Sequence, residues 1–167
     1  MFRRQVGGFT LLELMVTVTI AAILLAVALP SFQGSIRSNR VATTTNEALA
    51  SFALARSEAI RNTRGAGVCA SADGATCAAD WNSGWLVWSD ANGNSAVDAG
   101  EAIVRYSQGK DSVNMVATAA TVTFDSRGRA RGGAQTVNIV PVGVATPARC
   151  INISTTGQTR VAQAACP

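Results

Sequence analysis

The candidate ligand-binding residues of this chain are carboxylates, asparagines and arginines. The chain has no histidine and only one lysine, Lys110. One stretch places oxygen-bearing side chains at positions 1, 3, 5, 9 and 12 of a loop, the spacing of a calcium-binding loop. Position 6, which calls for glycine, is Ser95, and the flanks resemble strands. We therefore favour a polar hairpin loop without metal, because Asn, Asp and Gly favour turns. The candidate calcium ligands are Asp90, Asn92, Asn94, Asp98 and Glu101.

A second candidate is the basic cluster Arg127-Gly128-Arg129-Ala130-Arg131, which follows a predicted strand. Guanidinium groups bind phosphates in a bidentate manner, and flexible glycines let them approach a curved anionic backbone. About two to four phosphate contacts predict weak, salt-sensitive binding without sequence preference. The alternative is a solvated basic loop. Arg160 and Arg149 are the next candidates for such contacts.

Catalysis has no support in the sequence. The chain lacks histidine, a G-x-S-x-G motif and paired carboxylates in an apolar stretch, so the usual combinations of nucleophile and base are missing. We expect neither an enzyme nor a bound cofactor.

Composition and charge indicate a protein with partly covered faces. Apolar residues make up 48% of the chain and charged residues only 14%, well below the usual quarter. The segment 65–104 contains five acids and no basic residue, whereas 111–167 contains two acids and five arginines. This distribution predicts an acidic and a basic side of one domain. The alternative is two solvated faces without partners.

Four cysteines follow the apolar N-terminal segment, and outside the cytoplasm they are expected to form disulfides. Three connectivities are possible, and the absence of C-x-x-C and histidine argues against a metal site. We favour the pairs Cys69–Cys77 and Cys150–Cys166, because each closes a short loop at little entropic cost.

Three tryptophans lie within eight residues: Trp81, Trp85 and Trp88. They either form an exposed ligand platform or pack in the core, and we favour the core.

The N-terminal segment is the element that carries the rest of the chain. An apolar run of 21 residues, Phe9 to Leu29, is interrupted by Glu13 and closed by Pro30. About 20 apolar residues span a bilayer as a helix, and an acid inside such a helix normally has a partner. A cleaved secretory signal, with Ala26-Val27-Ala28 as its cleavage site, is one interpretation. A plain anchor is another, but neither explains Glu13.

The string Gly8-Phe9-Thr10-Leu11-Leu12-Glu13-Leu14, after a short basic leader and before Pro30, resembles the processing motif of type IV pilins and pseudopilins. The resemblance implies cleavage after Gly8 by a prepilin peptidase and methylation of Phe9. It also implies that Glu13 pairs with the N-terminal amine of a neighbouring subunit. An apolar environment strengthens such a pair.

Beyond Pro30 the helical pattern continues to about Arg61, with a kink expected at the proline. The apolar stripe that we expect to face the head contains Ile36, Val41, Leu49, Phe52, Ala53, Ala59 and Ile60. Gly65 and Gly67 interrupt the helical pattern. Eight short strands are then predicted, at 68–70, 85–89, 102–106, 113–116, 121–124, 136–140, 150–154 and 159–162.

These elements predict an α+β fold in which the second half of a long helix packs on an antiparallel sheet. We divide the chain into a leader (1–8), a transmembrane and assembly helix (9–29), an amphipathic half-helix (30–64) and a β-rich head (65–167). The segments Arg56 to Ile60, Trp81 to Trp85 and Gly100 to Arg105 resemble the globular domain of the GspH/FimT/FimU family of minor pilins and pseudopilins.

That resemblance implies a minor type IV pilin that helps to initiate or cap a pilus, with a minor pseudopilin of type II secretion as the alternative. The implied location is the inner membrane, single-pass with a periplasmic head, and then the pilus. The implied partners are major and minor pilins and the prepilin peptidase. Some family members bind DNA for natural transformation through a C-terminal G-R-x-R motif. Here that place holds Gly157-Gln158-Thr159-Arg160, while Gly128-Arg129-Ala130-Arg131 fits the motif in an earlier loop.

Overall fold

One long helix and eight strands form the protein. The computed structural model describes residues 8–167, so most of the predicted leader lies outside the described residues. The chain divides into two compact units, Met1–Ile36 and Arg37–Pro167, and we refer to the second as the head. Helix α1 spans Leu11–Asn62, so Pro30 does not end the helix, as predicted.

The end of α1 is fixed by Asn62. Its side-chain oxygen accepts hydrogen bonds from the backbone N–H groups of Arg64 and Gly65, and its amide donates to Ser89 Oγ. Thr63 adopts a left-handed conformation with φ of 59°. Because these side-chain bonds compete with helical hydrogen bonds, the helix stops here and the first strand begins within three residues.

All eight predicted strands are present, with ends shifted by up to three residues. A 3-10 helix, Trp81–Ser83, precedes the second strand. The strands are β1 Gly65–Ala70, β2 Gly84–Ser89, β3 Ile103–Gln108, β4 Val113–Ala117, β5 Thr121–Asp125, β6 Gln135–Pro141, β7 Arg149–Ile153 and β8 Thr159–Ala162.

The strands form two four-stranded antiparallel sheets rather than the single sheet that we expected. The first sheet has the order β3-β2-β1-β5 and the second has the order β4-β6-β7-β8. Side chains from both sheets and from α1 share one core. Its aromatic centre includes Phe52 on α1 and Trp81, whose ring centroids are 6.2 Å apart. The prediction of an α+β fold with a helix against antiparallel strands is confirmed.

The face of α1 that enters this core differs from the predicted stripe. Ile36, Ala53 and Ile60 are exposed, whereas Ala48 and Ala55 are fully buried beside Val41, Phe52 and Ala59. A helix that approaches two sheets needs small side chains at the contact, since large ones would hold the backbones apart. Polar residues also lie on this face: Thr44, Thr45, Ser51 and Glu58.

The buried tryptophans explain part of this polarity. Trp85 Nε1 donates to Ser51 Oγ at 2.9 Å, and Trp81 Nε1 donates to the carbonyl of Ala119 at 3.0 Å. All three tryptophans are buried, which confirms core packing over an exposed platform. Trp88, however, lies in a second small cluster with Cys69 and Leu86. That cluster forms the outer face of the first sheet, opposite the helix.

Two disulfides tie loops to the sheets, with the predicted connectivity. Cys69 bonds Cys77 with Cα atoms 5.6 Å apart, and Cys150 bonds Cys166 with Cα atoms 5.0 Å apart. The second bond fastens the C-terminal residues to β7, next to Asn138, whose side-chain oxygen accepts the backbone N–H of Cys166. Both short loops therefore become parts of the folded head.

Candidate functional site

The N-terminal motif lies at the start of α1, where Thr10 caps the helix. Thr10 Oγ1 accepts the backbone N–H of Glu13 at 3.2 Å, and its carbonyl accepts the N–H of Leu14. Thr10 and Glu13 have the spacing of a capping box, in which the hydroxyl satisfies an N–H that has no partner inside the helix. Glu13 therefore lies in the first turn, where the helix dipole favours a negative charge.

The apolar run around Glu13 is exposed on every side of the helix. Phe9 is 82% exposed, Leu11 79% and Val27 72%. Helix α1 is long and apolar enough to cross a membrane. Within the described residues, the Glu13 carboxylate has no hydrogen bond or ion pair. An exposed surface this apolar is typical of a segment that contacts lipid or another protein.

The basic cluster forms a tight loop around one carboxylate. We call residues 126–131 the basic loop. Asp125 accepts the backbone N–H groups of Arg127 and Arg129, and it pairs with the Arg129 guanidinium at 2.9 Å. Burial raises the pKa of Asp125, but these hydrogen bonds outweigh it and hold the pKa below its ordinary value. Asp125, which sequence analysis missed, therefore shapes the loop and neutralises one of its arginines.

The basic loop packs against the turn between β7 and β8, residues 154–158, which we call the C-terminal turn. Ala130 donates its N–H to the carbonyl of Thr155 at 3.2 Å. A Cβ atom on Gly157 would lie 1.9 Å from the carbonyl oxygen of Gly128, so only glycine permits this approach. Arg56 on α1 donates to that same carbonyl. The two places where a G-R-x-R motif was considered are thus adjacent.

The four candidate arginines have different environments. Arg127 and Arg160 are exposed, and neither side chain makes a hydrogen bond or an ion pair in the part of the chain described. Arg129 is paired with Asp125, and Arg131 is half-buried. A depression of about 640 Å³ is lined by Arg129, Arg131 and Thr156. We call this depression the trough. A second depression, of about 390 Å³, shares Thr156 with the trough and is lined by Arg160.

The acidic loop, residues 90–101, is held by hydrogen bonds from its own donors to its own carboxylates. Asp90 is buried and accepts backbone N–H groups from Gly93, Asn94 and Ser95. Glu101 accepts the N–H groups of Ala91 and Asp98, and Asp98 accepts the side-chain amides of Asn92 and Asn94. Over residues 8–167 no three acids come together as a metal site. The loop connects β2 and β3, which pair antiparallel, so the prediction of a hairpin loop is confirmed.

The acidic and basic loops are in contact at Arg131. Arg131 Nη1 donates to the carbonyl of Gly93 at 3.0 Å and to Ser95 Oγ at 2.8 Å. The basic loop therefore contacts the acidic loop through neutral acceptors. Arg149 is half-buried on β7, outside the described lining of either depression.

Comparison with known families agrees with these features. The family model described as "Type II transport protein GspH" matches residues 44–157, which is 114 of 167 residues. The chain belongs to the GspH family. A second model, the prokaryotic N-terminal methylation motif, matches residues 3–29. This GspH-family chain therefore combines a methylation motif with a pilin-type head, and the predicted family is confirmed.

Solved structures show the same fold. The type IV minor pilin FimU of Pseudomonas aeruginosa is 22% identical, with a TM-score of 0.59 over 75% of this chain and 90% of FimU. The minor pseudopilin EpsH from the Type 2 Secretion System of Vibrio cholerae is 14% identical, with a TM-score of 0.50 over 76% of this chain and 96% of EpsH. No curated protein sequence matches the chain significantly. At these identities the likeness shows the fold alone.

Proposed function

We propose that this GspH-family chain is a minor type IV pilin, a structural subunit rather than an enzyme. In this proposal a prepilin peptidase cleaves after Gly8 and Phe9 is methylated. Residues 9–29 then hold the subunit in the inner membrane with a periplasmic head, until it joins other pilins at the cell surface. The observation that carries the proposal is an apolar helix exposed on all sides, with one unpaired carboxylate in its first turn.

The position of Glu13 supports assembly through this helix. A carboxylate in an apolar environment is costly unless a cation neutralises it. Cleavage after Gly8 would create an N-terminal amine at Phe9, four residues before Glu13. The amine of one subunit and Glu13 of the next then form an ion pair across the interface. Attraction between them grows as lipid or protein replaces water.

The mass of the mature N-terminus tests the processing step. We expect the purified chain to begin at Phe9 and to carry one methyl group. An intact Met1, or a start at Leu29, would contradict processing as a pilin.

For assembly, Glu13→Gln should leave the head folded but reduce incorporation into pili, with Thr17→Val as a control in the same apolar helix. Equal incorporation of both variants would remove Glu13 from the proposal.

The alternative is a minor pseudopilin of type II secretion. The family description and the EpsH likeness favour this alternative as much as FimU favours a pilus. Deletion of the gene separates the two. A pilus subunit predicts lost twitching or transformation, whereas a pseudopilin predicts lost protein export with pili intact.

A second proposed activity is binding of DNA to the head, which would suit a pilin that takes part in natural transformation. The supporting observation is that the basic loop and the C-terminal turn pack together, so Arg129 lines one depression and Arg160 lines a neighbouring one that shares Thr156. Arg127 lies exposed in the same loop as Arg129. The unpaired Arg127 and Arg160 are the best phosphate ligands. Arg129 shares its charge with Asp125, and Arg131 is occupied by Gly93 and Ser95.

Gel retardation of duplex DNA by the full chain in non-ionic detergent tests this activity. We expect weak retardation at low salt. The slope of log affinity against log salt concentration should become smaller by about one for each arginine replaced. Arg127→Ala combined with Arg160→Ala should reduce affinity about tenfold or more. Arg105→Ala, on the edge strand β3, is the control. No retardation at any salt concentration would refute DNA binding while leaving the assembly proposal intact.

A further inference from the structure

The outer face of the first sheet is covered by the acidic loop, residues 90–101, which we call the lid loop. Its residue Val97 packs on the cluster of Cys69, Leu86 and Trp88. The ring of Trp88 lies so close to β1 that a Cβ atom on Gly67 would be 2.3 Å from it. A groove of about 630 Å³ lies between the lid loop and the disulfide-closed loop near Cys77, and Trp88 lines it. Without the lid loop, this indole would face water.

The closed lid loop buries a polar group that has no partner. Trp88 Nε1 has no hydrogen-bond acceptor within residues 8–167, in contrast to Trp81 and Trp85. A buried donor without an acceptor favours any state in which water or another acceptor reaches it. The closed position of the lid loop therefore leaves the Trp88 N–H without the hydrogen bond that water would accept, which destabilises that position. Other contacts must hold the loop closed.

Most contacts of the lid loop lie within the loop or at its base. The carboxylates of Asp90, Asp98 and Glu101 bind donors of the loop itself. At the base, Asp90 donates to the carbonyl of Gly65, and Arg64 donates to the carbonyl of Ala91. At the tip, among hydrogen bonds of the described residues, the only donor from outside the loop is Arg131.

We propose that Arg131 is a latch that keeps the lid loop closed over Trp88, and that an oxyanion competing for its guanidinium opens the lid loop. Nη1 holds both the carbonyl of Gly93 and the hydroxyl of Ser95. The same side chain lines the trough beside Arg129. Guanidinium groups form stronger hydrogen bonds with charged oxyanions than with neutral carbonyls. An oxyanion in the trough therefore competes with the lid loop for one residue.

The latch itself does not require that the protein bind DNA, whereas its opening by an oxyanion rests on the proposed basic surface. Hydrogen exchange measured by mass spectrometry on the full chain in detergent separates these two parts. We expect peptides from residues 90–101 to exchange about tenfold faster in Arg131→Ala than in the unmodified chain, the effect of losing one to two hydrogen bonds. Arg127→Ala, which removes the same charge in the same loop, should leave this exchange unchanged.

The opening arm uses inorganic phosphate against chloride at equal ionic strength. Phosphate should shift exchange of residues 90–101 in the unmodified chain toward the rate of Arg131→Ala, and should have no effect on that variant. Equal exchange in Arg131→Ala and the unmodified chain would overturn the latch. Equal acceleration by phosphate with and without Arg131 would overturn the coupling.

Peptides from β6, residues 135–141, report whether Arg131→Ala remains folded. If they lose protection as well, Arg131→Lys is used instead, because lysine keeps the charge but ends in a compact ammonium on a shorter side chain, without the guanidinium whose Nη1 holds both acceptors. Faster exchange of the lid loop with β6 still protected supports the latch. Unchanged exchange in Arg131→Lys, together with no response of the unmodified chain to phosphate, overturns it.

Discussion

The two parts of α1 use apolar residues in opposite ways. In residues 11–29 twelve of the nineteen side chains are large and apolar, and all nineteen residues are exposed. In residues 37–62 the buried face is made mainly of small or polar residues, such as Ala48, Ala55, Thr45 and Ser51. The comparison shows that apolar content and burial within the subunit are separate properties. The first part is built for an environment outside the subunit, and the second is shaped to fit two sheets.

The largest expected effect comes from Phe52, which is fully buried and packs near Trp81. Phe52→Ala should lower the free energy of unfolding of the head by about 3–5 kcal/mol, because it leaves a cavity in the shared core. Leu24→Ala, at a position that is 65% exposed, should change it by less than about 0.5 kcal/mol. Chemical denaturation followed by near-UV circular dichroism measures both. Similar losses in the two variants would erase the contrast between the parts of α1.

Two alanines separated by two positions lie on different faces of α1 and sharpen the comparison within the second part. Ala55 is fully buried and Ala53 is exposed. Ala55→Leu should destabilise the head by about 1–3 kcal/mol, since the sheets leave no room for a larger side chain. Ala53→Leu should be nearly neutral. If the midpoint of thermal unfolding falls equally in both variants, the helix does not approach the sheets through Ala55.

The buried carboxylate of Glu58 predicts a dependence of stability on pH. Two hydrogen bonds from the Arg61 guanidinium, at 2.7 and 2.9 Å, lower the pKa of Glu58 below its ordinary value of 4.5, although burial opposes them. A group whose pKa is lowered by folding stabilises the protein above its unfolded pKa. That contribution is lost as the pH falls below about 4.5 and through the folded pKa.

Glu58→Gln should therefore cost about 1 kcal/mol at pH 7 and almost nothing near pH 2. Urea denaturation at a series of pH values measures the difference between the two proteins. Arg61→Gln should give a smaller loss at pH 7, because Arg61 is three-quarters exposed. A difference between Glu58→Gln and the unmodified protein that stays constant with pH would show that the carboxylate is not ionised in the folded state.

The smallest expected effect concerns the ion pair between Lys110 and Glu47, which joins the β3–β4 connection to α1. The Nζ–Oε2 distance is 2.6 Å, and both side chains are about one-third exposed. Lys110→Met should cost about 0.5 kcal/mol or less, and the cost should shrink in high salt because solvent and ions screen the pair. Unfolding in low and high salt measures this. A loss above about 2 kcal/mol would mean that the pair, rather than packing, holds the helix on the sheets.

Much of the fold could be predicted from the sequence because its signals are local. Alternating apolar residues between turn residues located all eight strands, and the short cysteine spacings favoured the observed disulfides. The helical stripe was partly wrong, with Ile36, Ala53 and Ile60 assigned to the buried face. Hydrophobicity ranked Ile36 and Ile60 above Ala48 and Ala55, whereas close packing against two sheets selects for small size.

The candidate site was less predictable, because its parts are distant in the sequence. Asp125 could have been noticed, since an Asp two residues before an arginine often caps a turn. Nothing local indicates that Gly128 would meet Gly157, or that Arg131 would reach Ser95. Each of these contacts depends on strand order, which decides which loops become neighbours.

The sequence by itself determined the capped apolar helix with Glu13 in its first turn, the strands and the disulfide pairs. These depend on hydrogen-bonding rules and chain entropy within a few residues. The tertiary structure decided that the strands form two sheets, that the face of α1 which meets them is made of small residues, and that acidic and basic loops share Arg131. Those features depend on long-range packing, in which side-chain volume and the shape of neighbouring elements select one arrangement among many with the same local pattern.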